Sequence, residues 1–157
     1  MNIIISLSVV VGFIYLGLCT KNMLKERVLF FEELEKFLNE FKVNVSFAQM
    51  GLCDFINNFN SKSSDLTILL NNFTNLTKNQ NKEKGFSVIK SEEVDLVKEF
   101  LFSIGKTDAT NQLQEIEVFK TKISSLLNSE RKIYSKYAGL SVKLSLMLGV
   151  MVVILLL

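Results

Sequence analysis

Side chains that commonly carry out chemistry in proteins are scarce in this sequence. The 157 residues include no histidine, so the usual general base and the commonest metal ligand are both missing. The two cysteines, Cys19 and Cys53, are too few and too far apart to indicate a zinc site. One lies in an apolar terminal segment and the other in the polar middle of the chain, so no disulfide is implied. We therefore expect neither a metal centre nor a bound cofactor.

One phrase, "GKTD" at positions 105–108, contains the Gly-Lys-Thr of a phosphate-binding loop. No glycine-rich loop and no predicted strand precede it, and a phosphate loop requires both. The phrase instead predicts the end of one helix, with Gly105 as a left-handed C-cap, followed by the start of the next. Asp108 suits the N-cap of that next helix, and a contact with a partner subunit is the alternative role.

Paired carboxylates are the remaining candidates for acid–base catalysis. Such pairs are Glu32 and Glu33, Glu92 and Glu93, and Glu115 and Glu117. All fall on the polar side of predicted helices, whereas the carboxylates of hydrolase active sites need burial. We expect the protein not to be an enzyme and to have no small-molecule substrate.

Apolar segments occupy the two ends of the chain. Residues 3–19 carry no charge and would form about 26 Å of helix, which is close to the thickness of the hydrocarbon core of a bilayer. A cleaved signal peptide is the alternative, but no basic residue precedes the run and no small-residue cleavage pattern follows it. We predict a retained transmembrane helix over residues 1–20.

The C-terminal apolar run begins after Lys143 and is fourteen residues long, which is too short to span alone. A helix that starts at Ala138 is long enough, and the Lys143 side chain can extend along it towards the headgroups. We predict a second span over 138–157. The alternative is a tail that lies in the membrane interface or packs against the first span.

Every charged side chain lies between Lys21 and Lys143. Basic residues flank both apolar segments on their inner sides: Lys21, Lys25 and Arg27 after the first, and Arg131, Lys132, Lys136 and Lys143 before or within the second. The positive-inside rule therefore predicts a cytoplasmic middle and external termini, with Lys21, Lys25, Arg27, Lys136 and Lys143 as membrane-boundary residues. The net charge of +2 is too small to indicate nucleic-acid binding.

The middle of the chain, residues 21–137, is predicted to be an all-α bundle of about five helices between the two spans. Proline is absent, so nothing forces long helices to stop. Apolar residues recur at steps of three and four in the first stretch: Leu24, Val28, Phe31, Leu34, Leu38, Phe41 and Val45. Similar spacing predicts further helices over 52–59, 66–76 and 91–104, and a long one from 113 into the tail.

The stretch "FLFSIGKTDATNQLQEIEVF" resembles stage III sporulation protein AB, and the resemblance covers nearly the whole chain. The residues that carry it are Ile104, Gly105, Thr107, Asp108 and Gln112, together with Glu26-Arg27 after the first span and Gly149 in the aliphatic ending. The family has an N-terminal span, a helical cytoplasmic region similar to the domain of type II secretion F proteins, and a C-terminal span.

The resemblance implies a non-enzymatic platform in the channel complex that joins mother cell and forespore during endospore formation. It places the protein in the mother-cell membrane facing the forespore, with a secretion-type ATPase and the other channel subunits as expected partners. A pore-forming or transport subunit is the alternative. Two aliphatic spans without ionisable residues at mid-depth would make a poor conduit.

Overall fold

The computed structural model describes residues 2–47, 50–77, 85–104 and 109–156, and these residues form five α-helices and no β-strand. The helices are α1 (Asn2–Phe47), α2 (Leu52–Asn58), α3 (Ser64–Thr77), α4 (Ser91–Ile104) and α5 (Ala109–Leu156). The predicted all-α class is confirmed. The two apolar segments are the terminal parts of α1 and α5, because no proline separates them from the polar stretches.

Two compact units divide the chain. A terminal unit contains residues 1–28 and 128–157, and a central unit contains residues 29–127. The terminal unit therefore combines the first part of α1 with the last part of α5. The central unit contains the remainder of both helices together with α2, α3 and α4. The domain limits predicted from the sequence, 1–20, 21–137 and 138–157, remain predictions.

Phenylalanine and leucine side chains fill the core of the central unit. On α1, Phe30, Phe31, Leu34, Phe37 and Leu38 are all essentially inaccessible to water. Four rings form a cluster in which neighbouring centroids lie 5.1–6.2 Å apart, namely those of Phe37, Phe41, Phe55 and Phe59. Such a cluster adds aromatic contacts to apolar burial and fixes α2 against α1.

The loop between α2 and α3 is attached to α1 by a carboxylate. Glu33 is buried, and its Oε2 accepts a hydrogen bond of 3.1 Å from the backbone N–H of Lys62. Glu33 therefore differs from the solvated side chain that the sequence predicted. At the end of the loop, the Oγ of Ser63 accepts a hydrogen bond from the N–H of Leu66, so Ser63 is the N-cap of α3.

A second buried carboxylate holds the segment before α4. Asp65, in the first turn of α3, accepts hydrogen bonds from the backbone N–H of Ser87 at 3.0 and 3.1 Å and from that of Val88 at 2.8 Å. The Asp65 side chain is buried, so these donors replace the water that a carboxylate otherwise requires. This contact joins two stretches more than twenty residues apart.

Replacing Asp65 with alanine should lower the free energy of unfolding by about 1.5–3 kcal/mol, because the charge-assisted hydrogen bonds that its carboxylate accepts from the backbone N–H groups of Ser87 and Val88 are lost. Asp65→Asn keeps one acceptor oxygen and should lose less. Hydrogen exchange at Ser87 and Val88 measures the effect directly. Unchanged protection of both amides in the alanine variant would contradict this role of Asp65.

Candidate functional site

The terminal unit is an antiparallel pair of helices that approach closely at Gly17. A side-chain carbon added at Gly17 would lie 2.9 Å from the Oγ of Ser145 and 3.0 Å from the Cα of Val142. The second of these atoms belongs to the backbone and cannot rotate away. Only glycine therefore permits the observed approach of α1 to α5.

Small residues on α5 form the other side of this contact. Ser141, Ser145 and Gly149 recur every four residues, and a carbon added at Gly149 would lie 3.1 Å from the Cβ of Phe13. The Oγ of Ser141 donates a hydrogen bond of 3.1 Å to the carbonyl of Ala138 and also lies 3.5 Å from that of Gly17. Small residues at this spacing let membrane helices pack backbone to backbone, where burial from water gives no driving force.

An ion pair joins the same two helices farther from the chain termini. The Nη2 of Arg27 donates to Oε1 of Glu130 at 2.7 Å, and its Nε donates to Oε2 at 3.1 Å. The two side chains are only 10% and 13% exposed. The geometry is bidentate, which is the strongest form of an arginine–carboxylate pair. The sequence instead predicted a membrane-boundary role for Arg27.

The other predicted membrane-boundary residues lie on the surface of the terminal unit. Lys21, Lys25, Lys136 and Lys143 are all exposed. The Nζ of Lys136 lies 5.2 Å from the centre of the Tyr137 ring, and an amphipathic tyrosine beside a lysine is typical of a membrane interface. Their contact with a membrane stays a prediction.

Of the predicted family-motif residues, Gly105, Thr107 and Asp108 lie outside the described residues. Gln112 is half-buried in the first turn of α5. The motif connects the end of α4 to the start of α5 in the sequence. These two helices form the walls of an open groove in the central unit, and we describe that groove as the candidate interaction site.

The groove has a volume of about 600 Å³. Its lining residues are Leu96, Glu99, Phe100, Ser103, Asn111, Gln114, Glu115, Val118, Phe119 and Lys122. At its base the rings of Phe100 and Phe119 stack with centroids 3.9 Å apart, and both side chains are buried. Val118 is 68% exposed on the α5 wall. The groove thus combines an apolar base with an apolar side chain open to solvent.

Hydrogen bonds and an ion pair fix α5 within the central unit. The hydroxyl of Ser103 is shared between two acceptors, the carbonyl of Phe100 at 2.9 Å and Oε2 of Glu115 at 3.2 Å across the groove. On another side of α5, Lys42 of α1 donates to Glu117 at 2.6 Å, and this hydrogen bond together with the lysine charge lowers the pKa of Glu117. Ser124 also donates to Glu35 of α1. These contacts attach α5, which forms one wall of the groove, to α1 and α4.

The chain matches a known protein family over almost its whole length. The sequence model of the family described as stage III sporulation protein AB matches residues 2–157. The chain belongs to the stage III sporulation protein AB family. The resemblance predicted from the motif residues is confirmed, and the family gives the protein a role in sporulation. No curated protein and no solved structure matches the chain.

Within the described part of this family member, two helices are long and apolar enough to cross a membrane, and they lie within Leu7–Phe47 and Thr110–Leu155. The close approach at Gly17, the Arg27–Glu130 pair and the groove between α4 and α5 were all missed by reasoning from the sequence. The spacing of Ser141, Ser145 and Gly149 was a signal in the sequence for the close approach at Gly17. Nothing in the sequence indicated which acidic residue pairs with Arg27.

Proposed function

We propose that this protein is a non-enzymatic, membrane-anchored scaffold subunit of a secretion-like channel complex between mother cell and forespore. The observation that supports this best is that the apolar helices and the open groove lie in different units of the chain. Apolar helices that pack through small residues make a double anchor, and a separate central unit presents an open groove. Such an arrangement suits holding a soluble partner at a membrane surface.

The partners of this scaffold are the other subunits of the channel complex and its secretion-type ATPase. Affinity purification of the full-length protein from sporulating cells, in mild detergent, tests this proposal. We expect the ATPase and sibling membrane subunits to co-purify with it. Ion conductance from the purified protein alone in planar bilayers, with no partner recovered from cells, would instead indicate a pore-forming subunit.

The orientation of the anchor gives a separate prediction. A reporter with compartment-dependent activity, fused after Leu157, should be active only outside the cytoplasm, because the basic residues flank both spans on their inner sides. The same reporter inserted in the 78–84 segment should be active only inside. External activity of the internal fusion would contradict a cytoplasmic central unit, and internal activity of the C-terminal fusion would contradict a second span.

A further inference from the structure

The groove between α4 and α5 has an acidic wall on one side. Glu92, Asp95 and Glu99 are exposed and recur at steps of three and four, so they share one face of α4. Glu99 also lines the groove, where it lies beside Phe100. The three carboxylates therefore form an acidic stripe along α4, and Glu99 is the member of the stripe that lines the groove.

The charge of the opposite wall is different. The α5 side of the groove presents Gln114, Val118 and Lys122, and Glu115 accepts its hydrogen bond from Ser103. Lys122 is the basic residue among the lining side chains. Lys98 adds a second basic charge on α4, and this residue interacts with other groups of the protein. Four carboxylates against these two amines leave the groove and its rim acidic.

The size of the groove indicates the form of its occupant. Along α5 the lining residues extend from Asn111 to Lys122, a rise of about 17 Å, which equals about three turns of a docked helix. An apolar base with an exposed apolar side chain suits the apolar stripe of an amphipathic helix. The acidic wall suits a basic flank on that helix.

We propose that the groove binds a basic amphipathic helix of a partner subunit, with its apolar stripe against Val118 and Phe119 and its lysine or arginine flank over Asp95 and Glu99. This assignment rests on the proposed scaffold function and identifies the surface through which that function operates. The rim carboxylates act on the rate of encounter and its salt dependence, and the apolar base provides most of the affinity.

Site-specific photocrosslinking tests the assignment in sporulating cells. A benzophenone amino acid replaces Val118 in the full-length protein, and the same group at Val43, an exposed valine of α1 in the central unit, is the matched control. We expect a cross-link from position 118 to a segment with helical apolar periodicity and an excess of lysine and arginine. A cross-linked segment that is acidic, a second copy of this chain, or lipid would overturn the assignment.

Charge and shape variants provide the second measurement. The double variant Asp95→Asn, Glu99→Gln should lower the recovery of partner subunits several-fold, and the recovery should then depend less on salt concentration. The variant Val118→Lys should lower the recovery of partner subunits about tenfold or more. The control variants are Asp54→Asn with Glu40→Gln, and Val43→Lys, all at exposed positions of the central unit. Circular dichroism confirms that each variant folds.

The two proposals fail in distinguishable ways. If the wild-type protein recovers no partner subunit from sporulating cells, the scaffold function fails. If the wild type and Val118→Lys recover the same partners equally well, the scaffold function stands and the groove assignment fails. Equal losses in Val118→Lys and Val43→Lys would also overturn the assignment, because the effect would then not depend on the groove.

Discussion

Replacing Gly17 with isoleucine should separate α1 from α5 in the terminal unit. The added side chain would meet the backbone at Val142, so the helices must move apart or distort. Overpacking of a close contact costs about 1–3 kcal/mol, and here the loss of neighbouring contacts at Ser145 adds to it. The free energy of unfolding, measured by titration with dodecyl sulfate and followed by circular dichroism, should fall accordingly.

Gly12 offers a control for this substitution within the same helix. A carbon added at Gly12 has no neighbouring atom within 4 Å, so Gly12→Ile changes composition and helix propensity in the same way without a clash. We expect the Gly12 variant to be as stable as the wild type or more stable, since isoleucine favours helix and bilayer over glycine. Equal destabilisation of the two variants would show that the approach at Gly17 is unimportant.

Breaking the ion pair between Arg27 and Glu130 should also lower the free energy of unfolding by a large amount. Arg27→Ala leaves a carboxylate that is 13% exposed without its bidentate partner, and removal of one member of a buried pair costs about 3–5 kcal/mol. Because both side chains keep some contact with water, we expect Arg27→Ala to lower the free energy of unfolding by about 3 kcal/mol, at the low end of that range. Titration with dodecyl sulfate, followed by circular dichroism, measures this change.

Substitution of both members distinguishes loss of the pair from loss of packing. Arg27→Leu together with Glu130→Leu removes both charges, and it should be much more stable than either single leucine variant. Lys25→Ala, at an exposed position on α1, should change stability by less than about 0.5 kcal/mol. Additive losses in the double variant would contradict energetic coupling between the two residues.

The helices of this protein were predictable because hydrophobic spacing is a local property of the sequence. The pattern from Leu24 to Val45 predicted the polar half of α1, and Ser91 marked the first residue of α4. At that start, the carboxylate of Glu93 accepts a hydrogen bond from the N–H of Lys90, which is half of a capping box and also local. The absence of proline similarly predicted that α1 and α5 would continue without a break.

Glu33 shows where local reasoning fails. Its position between apolar residues of α1 was assigned to the polar face, but the buried face of α1 in the central unit is wide enough to include it. The donor that satisfies the carboxylate is the N–H of Lys62, in a loop 29 residues away. Whether an acidic residue is solvated or buried thus depends on a backbone group that the spacing of side chains does not reveal.

By itself, the sequence determined the all-α class, the positions of the helices, the apolar ends and the family, because periodicity, composition and motif are properties of neighbouring residues. Only the tertiary structure decided the contact of Gly17 with α5, the partner of Arg27 and the groove between α4 and α5. Each of these depends on which faces of distant helices meet. Many pairings are compatible with the same periodicity, and packing with hydrogen-bond satisfaction selects among them.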